Sequence, residues 1–212
     1  MRLAIFDIDG TLLDCRSELR FWGYLFAKRK QRVKQVAQFL LFALRAWPLF
    51  GRDTLKKDKA YLTGLGTEEV AALAREFVEN RLLVYLNPAV KARLDHHLRQ
   101  GDAVVLVSGT LQPIARALAD HLGVTHICAT VCAERDGRYL AAPPQLHPYG
   151  GVKRQLTSKL AGQFGVSGDR ITAYGNARND IEMLEAAGRA VAVRPDRGLR
   201  AAAAQRGWEI IE

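Results

Sequence analysis

The stretch LAIFDIDGTLLD, residues 3–14, decides how the whole chain is read. Its first four residues, Leu3 to Phe6, form a continuous apolar run of the kind that makes a strand buried on both faces. The run then meets two carboxylates, Asp7 and Asp9, followed by Gly10 and Thr11. Burying a carboxylate is costly unless something compensates it. Two acids this close raise each other's pKa unless a cation intervenes. A hard divalent ion resolves the conflict, and Mg²⁺ suits one or two carboxylates together with phosphate and water.

Further along, the same pattern recurs. Apolar β-type runs at Ala103–Val107, His126–Thr130, Ile171–Tyr174 and Ala190–Val193 alternate with helical spacing over Leu111–Leu122, Val152–Phe164 and Asp180–Ala187. Continuous apolar strands separated by helices predict an α/β fold, a Rossmann-like parallel sheet covered on both faces. In such sheets ligands bind beyond the carboxyl ends of the strands. Asp7, Ser108 and the pair Gly175-Asn176 all fall at such ends. Between residues 15 and 86 the pattern is helical throughout, and Thr67-Glu68-Glu69 resembles a helix start with a capping Thr. The expected division is therefore a catalytic core of residues 1–14 and 87–212, with residues 15–86 an inserted helical cap. Asp136-Gly137 predicts a hairpin at the sheet's edge, and LRAAAAQRG a surface helix near the C-terminus.

Bulk composition narrows the partners. Of 212 residues, 49% are hydrophobic and 25% charged, ordinary for a globular protein. Three cysteines (Cys15, Cys128, Cys132) have no zinc-knuckle spacing and read as idle thiols in a reducing compartment. The opening residues lack the long apolar segment of a signal peptide, so a cytoplasmic location is expected. Net charge is +9, and residues 16–60 hold twelve Lys/Arg against three Asp/Glu, so that segment carries the whole excess. Such a patch suits an anionic partner: a phosphorylated substrate, a membrane surface or nucleic acid. No nucleic-acid reader motif accompanies it, so no nucleic acid is expected. Residues 33–50, VKQVAQFLLFALRAWPLF, are too short an apolar run to span a bilayer. They suit the core of the inserted bundle or a helix lying in a membrane interface at the inner membrane. His121, His126 and His147 are scattered and each reads as a structural residue, and His96-His97 make a poor metal pair because neighbours on a helix face different ways.

Four motifs in order make the reading specific: FDIDGT, VVLVSGT, YGGVKRQ and AYGNARND. Ser108 is followed by the backbone N–H groups of Gly109 and Thr110, which suit phosphate oxygens. Lys153 lies near the start of a helix after a glycine pair. On these motifs the chain resembles the haloacid dehalogenase superfamily of phosphohydrolases, in the branch that includes phosphoserine phosphatase, with the cap inserted after the first motif as in that branch. The resemblance implies that Asp7 is the nucleophile, forming an aspartyl-phosphate, while Asp9 protonates the leaving oxygen and then activates water. It implies that Thr11, Ser108, Gly109 and Thr110 serve the phosphate and that Lys153 offsets its charge. Mg²⁺ would be held by Asp7, the Asp9 carbonyl and the last motif, Asn176 and Asp180. Members of the branch usually carry Asp where this chain has Asn176, which implies weaker Mg²⁺ binding.

The substrate is less sharply defined. Where phosphoserine phosphatase has a Glu that reads the substrate's amino group, this chain has Arg16, which cannot accept a hydrogen bond from an ammonium. Arg16 suits an anionic or hydroxylated leaving group. A small phosphorylated metabolite is expected. The 33–50 segment resembles the insertion of bacterial phosphatidylglycerophosphatases, which makes a phospholipid headgroup the alternative, reached through a cap docked on an anionic membrane. A non-catalytic phospho-ligand-binding protein and a phosphotransferase are the remaining alternatives, and the oligomeric state is open.

Overall fold

A computed structural model describes residues 1–28, 30, 37, 41, 44 and 59–212. Its centre is β1 (Leu3–Phe6), with every residue buried. It pairs in parallel with β2 (Ala103–Leu111) on one side and β6 (Ile171–Gly175) on the other. β3 (His126–Thr130), β7 (Arg189–Val193) and β8 (Glu209–Ile211) complete a six-stranded parallel sheet in the order β3-β2-β1-β6-β7-β8. The order reverses at β1: the chain first builds outward to β3, then returns to β6 on the other side. That switch point opens a crevice beyond the carboxyl end of β1, where Asp7 lies.

Period-2 alternation sends β1 side chains into two separate cores. Ala4 and Phe6 join Val104, Leu106 and Tyr174 on one face, whereas Leu3 and Ile5 join Val105, Val107 and Ala173 on the other. Phe6 stacks on Tyr174 with ring centroids 4.2 Å apart. The residues just before Asp7 and just before Gly175 are thereby locked together, and Phe6→Ala would cost about 3–5 kcal/mol.

The first face is covered by α1 (Ser17–Ala27), α2 (Thr67–Phe77), α3 (Pro88–Arg99) and α4 (Gln112–Leu122), which bury residues into one cluster. α1 buries Ser17, Phe21 and Leu25, one stripe at helical spacing. α3 starts at Asn87, whose side chain accepts from the Ala89 and Val90 amides, with Pro88 in the first turn. The second face is covered by α5 (Gly151–Phe164), α6 (Ile181–Glu185) and α7 (Arg197–Arg206). The chain leaves the sheet layer at Asp14 and returns at Asn87, where Asp14 N donates to Tyr85 O and Asn87 N to Leu12 O. Within the segment between them, Val70, Ala74 and Phe77 share the hydrophobic cluster of Phe6 and Leu118. The described part of 15–86 is thus continuous with the layer on that face. Most of the 33–50 segment, expected to be helical, and of the basic run lies outside the described residues. Among the described residues no helix is long and apolar enough to cross a membrane.

Three local expectations are corrected. The hairpin, β4 (Glu134–Arg135) and β5 (Arg138–Tyr139), turns through Asp136 and Gly137, both at positive φ, as its sequence predicts. It does not extend the main sheet, however, and forms a sheet of its own. It bonds instead to the start of α2: Tyr139 N to Leu65 O, Gly64 N to Tyr139 O, and Thr67 N to Gly137 O. Thr67 is therefore not a cap, because its hydroxyl also donates to Gly137 O and Gly66 takes the cap position. Finally, β2 runs on past Val107, with an irregular register against β3 between Val107 and Leu111, so Ser108 lies within the strand's extension.

Candidate active site

Beyond the end of β1 lies a cavity of about 850 Å³. Asp7, Asp9, Ser108, Gly109, Thr110 and Lys153 line it, and so do Arg16 and Asn176. The structure thus brings together residues from four strand ends or helix starts as the sequence predicts. Thr11 is fully buried and reaches the site from behind, its hydroxyl 3.4 Å from both Asp7 Oδ2 and Asn176 Oδ1.

The electrostatic centre is Lys153, projected from the first turn of α5 and 1% exposed. Its Nζ donates to Asp7 Oδ1 at 2.7 Å and Asp180 Oδ1 at 2.6 Å. Burial pushes the ammonium down, but Asp180 and Asp7 more than offset it and hold it above the usual lysine range. For Asp7 the balance is opposite. Burial pushes its carboxyl up, Lys153 pulls it down and Asp180 adds to the rise, with a net upward direction. Asp9 is pushed up to about 7 by burial, against the Ser17 N–H that donates to its Oδ1 at 3.0 Å. A half-buried carboxyl raised toward neutrality is suited to general-acid work.

Asp180 ends the last motif, behind Lys153. It is fully buried and absent from the cavity wall. Its Oδ2 accepts from the Asn176 and Ala177 amides at 3.0 Å each, while Oδ1 takes Lys153. Its two oxygens thus shape the last motif and fix Lys153. Gly175 allows this, since a Cβ there would stand 2.6 Å from Asp180 Cβ. Among the described residues no cluster of three His, Cys, Asp or Glu is arranged to hold a metal. The oxygens that do converge are Asp7 Oδ2 and Asn176 Oδ1, both within reach of the Thr11 hydroxyl. Gly10, at φ 83°, lets Asn176 lie against the first motif, because a Cβ would meet Asn176 Nδ2 at 2.1 Å. One carboxylate and one amide oxygen are hard donors that fit an ion such as Mg²⁺.

Beside Arg16, which the sequence singles out, the wall carries Glu18, Lys59, Tyr61 and Trp22, which it does not. Glu18 lines the cavity with both oxygens engaged: Lys59 Nζ donates at 2.7 and 2.6 Å and Tyr61 Oη at 2.8 Å. Arg16, exposed at the start of α1, faces the same space, so the wall carries both signs of charge. Trp22 adds an aromatic face, packed on Tyr61 at 5.4 Å. His147 also lines the cavity. The available signal was its place in the loop that leads into the Lys153 helix. The cysteines are half-buried free thiols, and burial pushes each of them up.

A parallel sheet with acids and a buried lysine gathered beyond its central strand ends is the arrangement of a haloacid dehalogenase-type hydrolase. The chain belongs to that family: the model for haloacid dehalogenase-like hydrolases matches residues 4–185. Within it the chain is a phosphatase of the phosphoserine phosphatase-like branch. It is 32% identical to a probable phosphatase of Mycobacterium tuberculosis, over 98% of this chain and 74% of that protein. It is 30% identical to a phosphoserine phosphatase of the same organism, over 98% and 69%. It is also 28% identical to a histidinol-phosphatase of Neisseria meningitidis, over 99% and 97%. Among solved structures, a Bordetella pertussis protein of unknown function superposes with a TM-score of 0.83 at 26% identity, covering 100% of this chain and 98% of that one. A substrate-bound phosphoserine phosphatase, at TM-score 0.66 and 20% identity over 100% and 92%, shares the fold.

Proposed function

We propose that this phosphatase is a Mg²⁺-dependent phosphomonoesterase that works through an aspartyl-phosphate on Asp7 and acts on a small phosphorylated metabolite. The observation that carries the reading is Lys153, buried between Asp7 and Asp180 at the floor of a cavity that Asp9 and the Ser108–Thr110 loop also line. A lysine so placed fixes the Asp7 carboxylate and opposes the charge of an incoming phosphate.

Asp7 attacks phosphorus in line. The new bond joins its carboxylate oxygen to phosphorus, and the bond from phosphorus to the leaving oxygen breaks. Asp9, protonated near neutrality, gives its proton to that oxygen. In the second half Asp9 takes a proton from water, which attacks phosphorus and frees Asp7. Ser108 and the Gly109 and Thr110 amides receive the equatorial oxygens. Asp7, the Asp9 carbonyl and Asn176 would hold Mg²⁺, which supplies positive charge to keep Asp7 ionised and to neutralise phosphate oxygens.

For the leaving group, the mixed wall of Arg16, Glu18, Lys59 and Trp22 suits a polar metabolite. Relatives named phosphoserine phosphatase and histidinol-phosphatase support a phosphorylated amino acid or amino alcohol. The test is phosphate release across phosphoserine, histidinol phosphate, other small monoesters and phosphatidylglycerophosphate, with and without Mg²⁺. Mg²⁺-dependent turnover of a small ester supports the proposal, and preference for the lipid would replace its substrate class.

A further inference from the structure

Thr130, at the end of β3 and 1% exposed, makes two hydrogen bonds through one hydroxyl. It lies 2.6 Å from the Gly109 carbonyl oxygen and 2.9 Å from His147 Nδ1. A hydroxyl has one proton and a carbonyl has none, so the proton on Thr130 goes to Gly109 O. Nδ1 of His147 must then carry a hydrogen and donate to Thr130. The directions of the chain are fixed: His147 Nδ1–H to Thr130 Oγ1, then Thr130 Oγ1–H to Gly109 C=O.

That carbonyl belongs to the peptide whose N–H is Thr110's, in the middle of the phosphate-binding loop. A carbonyl that accepts a short hydrogen bond polarises its peptide and makes the N–H a stronger donor. The same bond fixes the peptide plane, and with it the direction of the Thr110 N–H, which now leans toward Ser108 Oγ at 3.4 Å. His147 also braces the loop sterically, since a Cβ on Gly109 would stand 3.3 Å from its Cε1. Its own ring is stacked on Tyr149, with centroids 5.9 Å apart and planes at 13°.

We propose that His147 is a positioning residue for phosphate recognition, acting through Thr130 and the Gly109 carbonyl to aim and strengthen the Thr110 amide. This rests on the reading that Ser108–Thr110 holds the phosphate, and the experiment separates the two. Inhibition by inorganic phosphate and the kcat and KM for p-nitrophenyl phosphate are measured in Mg²⁺ buffer. The set comprises wild type, Ser108→Ala, Thr130→Val, Thr130→Ser, His147→Leu and His147→Asn, whose amide can replace the Nδ1–H donor. Thr130→Val and His147→Leu are expected to raise the phosphate inhibition constant and KM about five- to tenfold, the loss of roughly one hydrogen bond. Thr130→Ser should stay within about twofold and His147→Asn should recover most of the loss, since each keeps the donor. Thermal melts accompany each variant, and a structural role would move melting without separating Ser from Val or Asn from Leu. If Ser108→Ala weakens phosphate binding while Thr130→Val does not, the relay is wrong and the loop reading stands. If neither variant changes phosphate binding, both fall. If Thr130→Ser is as impaired as Thr130→Val, the hydroxyl is irrelevant and the proposal is overturned.

Discussion

On the sheet side of the cavity, Lys153 holds Asp7 at 2.7 Å and Asp180 at 2.6 Å, and none of the three is more than 5% exposed. On the helical side, Arg16 is exposed, Leu19 is 60% exposed, and the polar contacts of Glu18 run to Lys59 and Tyr61, about 40 residues further along the chain. The sheet side places charges that are dictated by the backbone around them, down to the two amides that fix Asp180. The helical side mixes exposed side chains at the start of α1, such as Arg16 and Leu19, with the Lys59–Glu18 pair, in which Lys59 is buried, and none of them belongs to a strand. On the proposed reading, chemistry that must be held within a fraction of an ångström sits where the fold over-determines it, and leaving-group recognition sits where side chains can vary.

Substitutions on the two sides break or sharpen this contrast. The largest effect is expected for Lys153→Met, which leaves Asp7 and Asp180 buried without their cation. It should lower kcat by roughly 10³-fold or more and cost about 3–5 kcal/mol of stability. Denaturant titration beside steady-state kinetics checks it, and near-normal stability would refute the buried-triad account. Asp9→Asn should lower kcat about 10²–10⁴-fold while stabilising the metal-free fold. Asp9 is raised in the folded protein from 3.8 to about 7 by burial. Its contribution is therefore most favourable below the unfolded value and is lost as pH rises from about 4 to about 7. In chelator-treated protein the variant should match wild type near pH 4 and exceed it near pH 8 by on the order of 2 kcal/mol, a figure reduced because Asp9 is partly exposed.

Asn176→Asp adds a second charge beside Asp7 and should reduce the Mg²⁺ concentration for half-maximal activity about tenfold. An Asp180→Asn variant acts through Lys153 instead, so it should lower kcat at saturating Mg²⁺ without restoring on added metal. The smallest effect belongs to the helical side: Arg16→Ala should change KM about three- to tenfold and leave kcat nearly unchanged. A large kcat loss there would erase the distinction between the two sides.

The central strand, its acids and the three motifs that follow strands were legible because apolar runs ending in polar residues are local patterns. What escaped was decided by residues distant in sequence. The hairpin's partner, Gly64–Thr67, lies about 70 residues upstream, so no local signal distinguishes it from an edge hairpin. β8 is three half-buried residues, too short to show alternation. Asp180 shows its spacing in the sequence, but not its bonds to two backbone amides and to Lys153, which lies 27 residues upstream. His147 gave no sign of its place beside Gly109, because that contact depends on how the 131–150 segment folds back from β3.

The central claim is that Asp7 becomes phosphorylated during turnover. The most direct measurement is rapid acid quench of wild type with its best substrate, followed by peptide mass spectrometry and hydroxylamine treatment. The account predicts one phosphoryl group on the peptide that contains Asp7, discharged by hydroxylamine and absent from Asp7→Asn, which should also release no phosphate. Turnover with no phosphorylated peptide at any quench time, or phosphorylation at another residue, would contradict it.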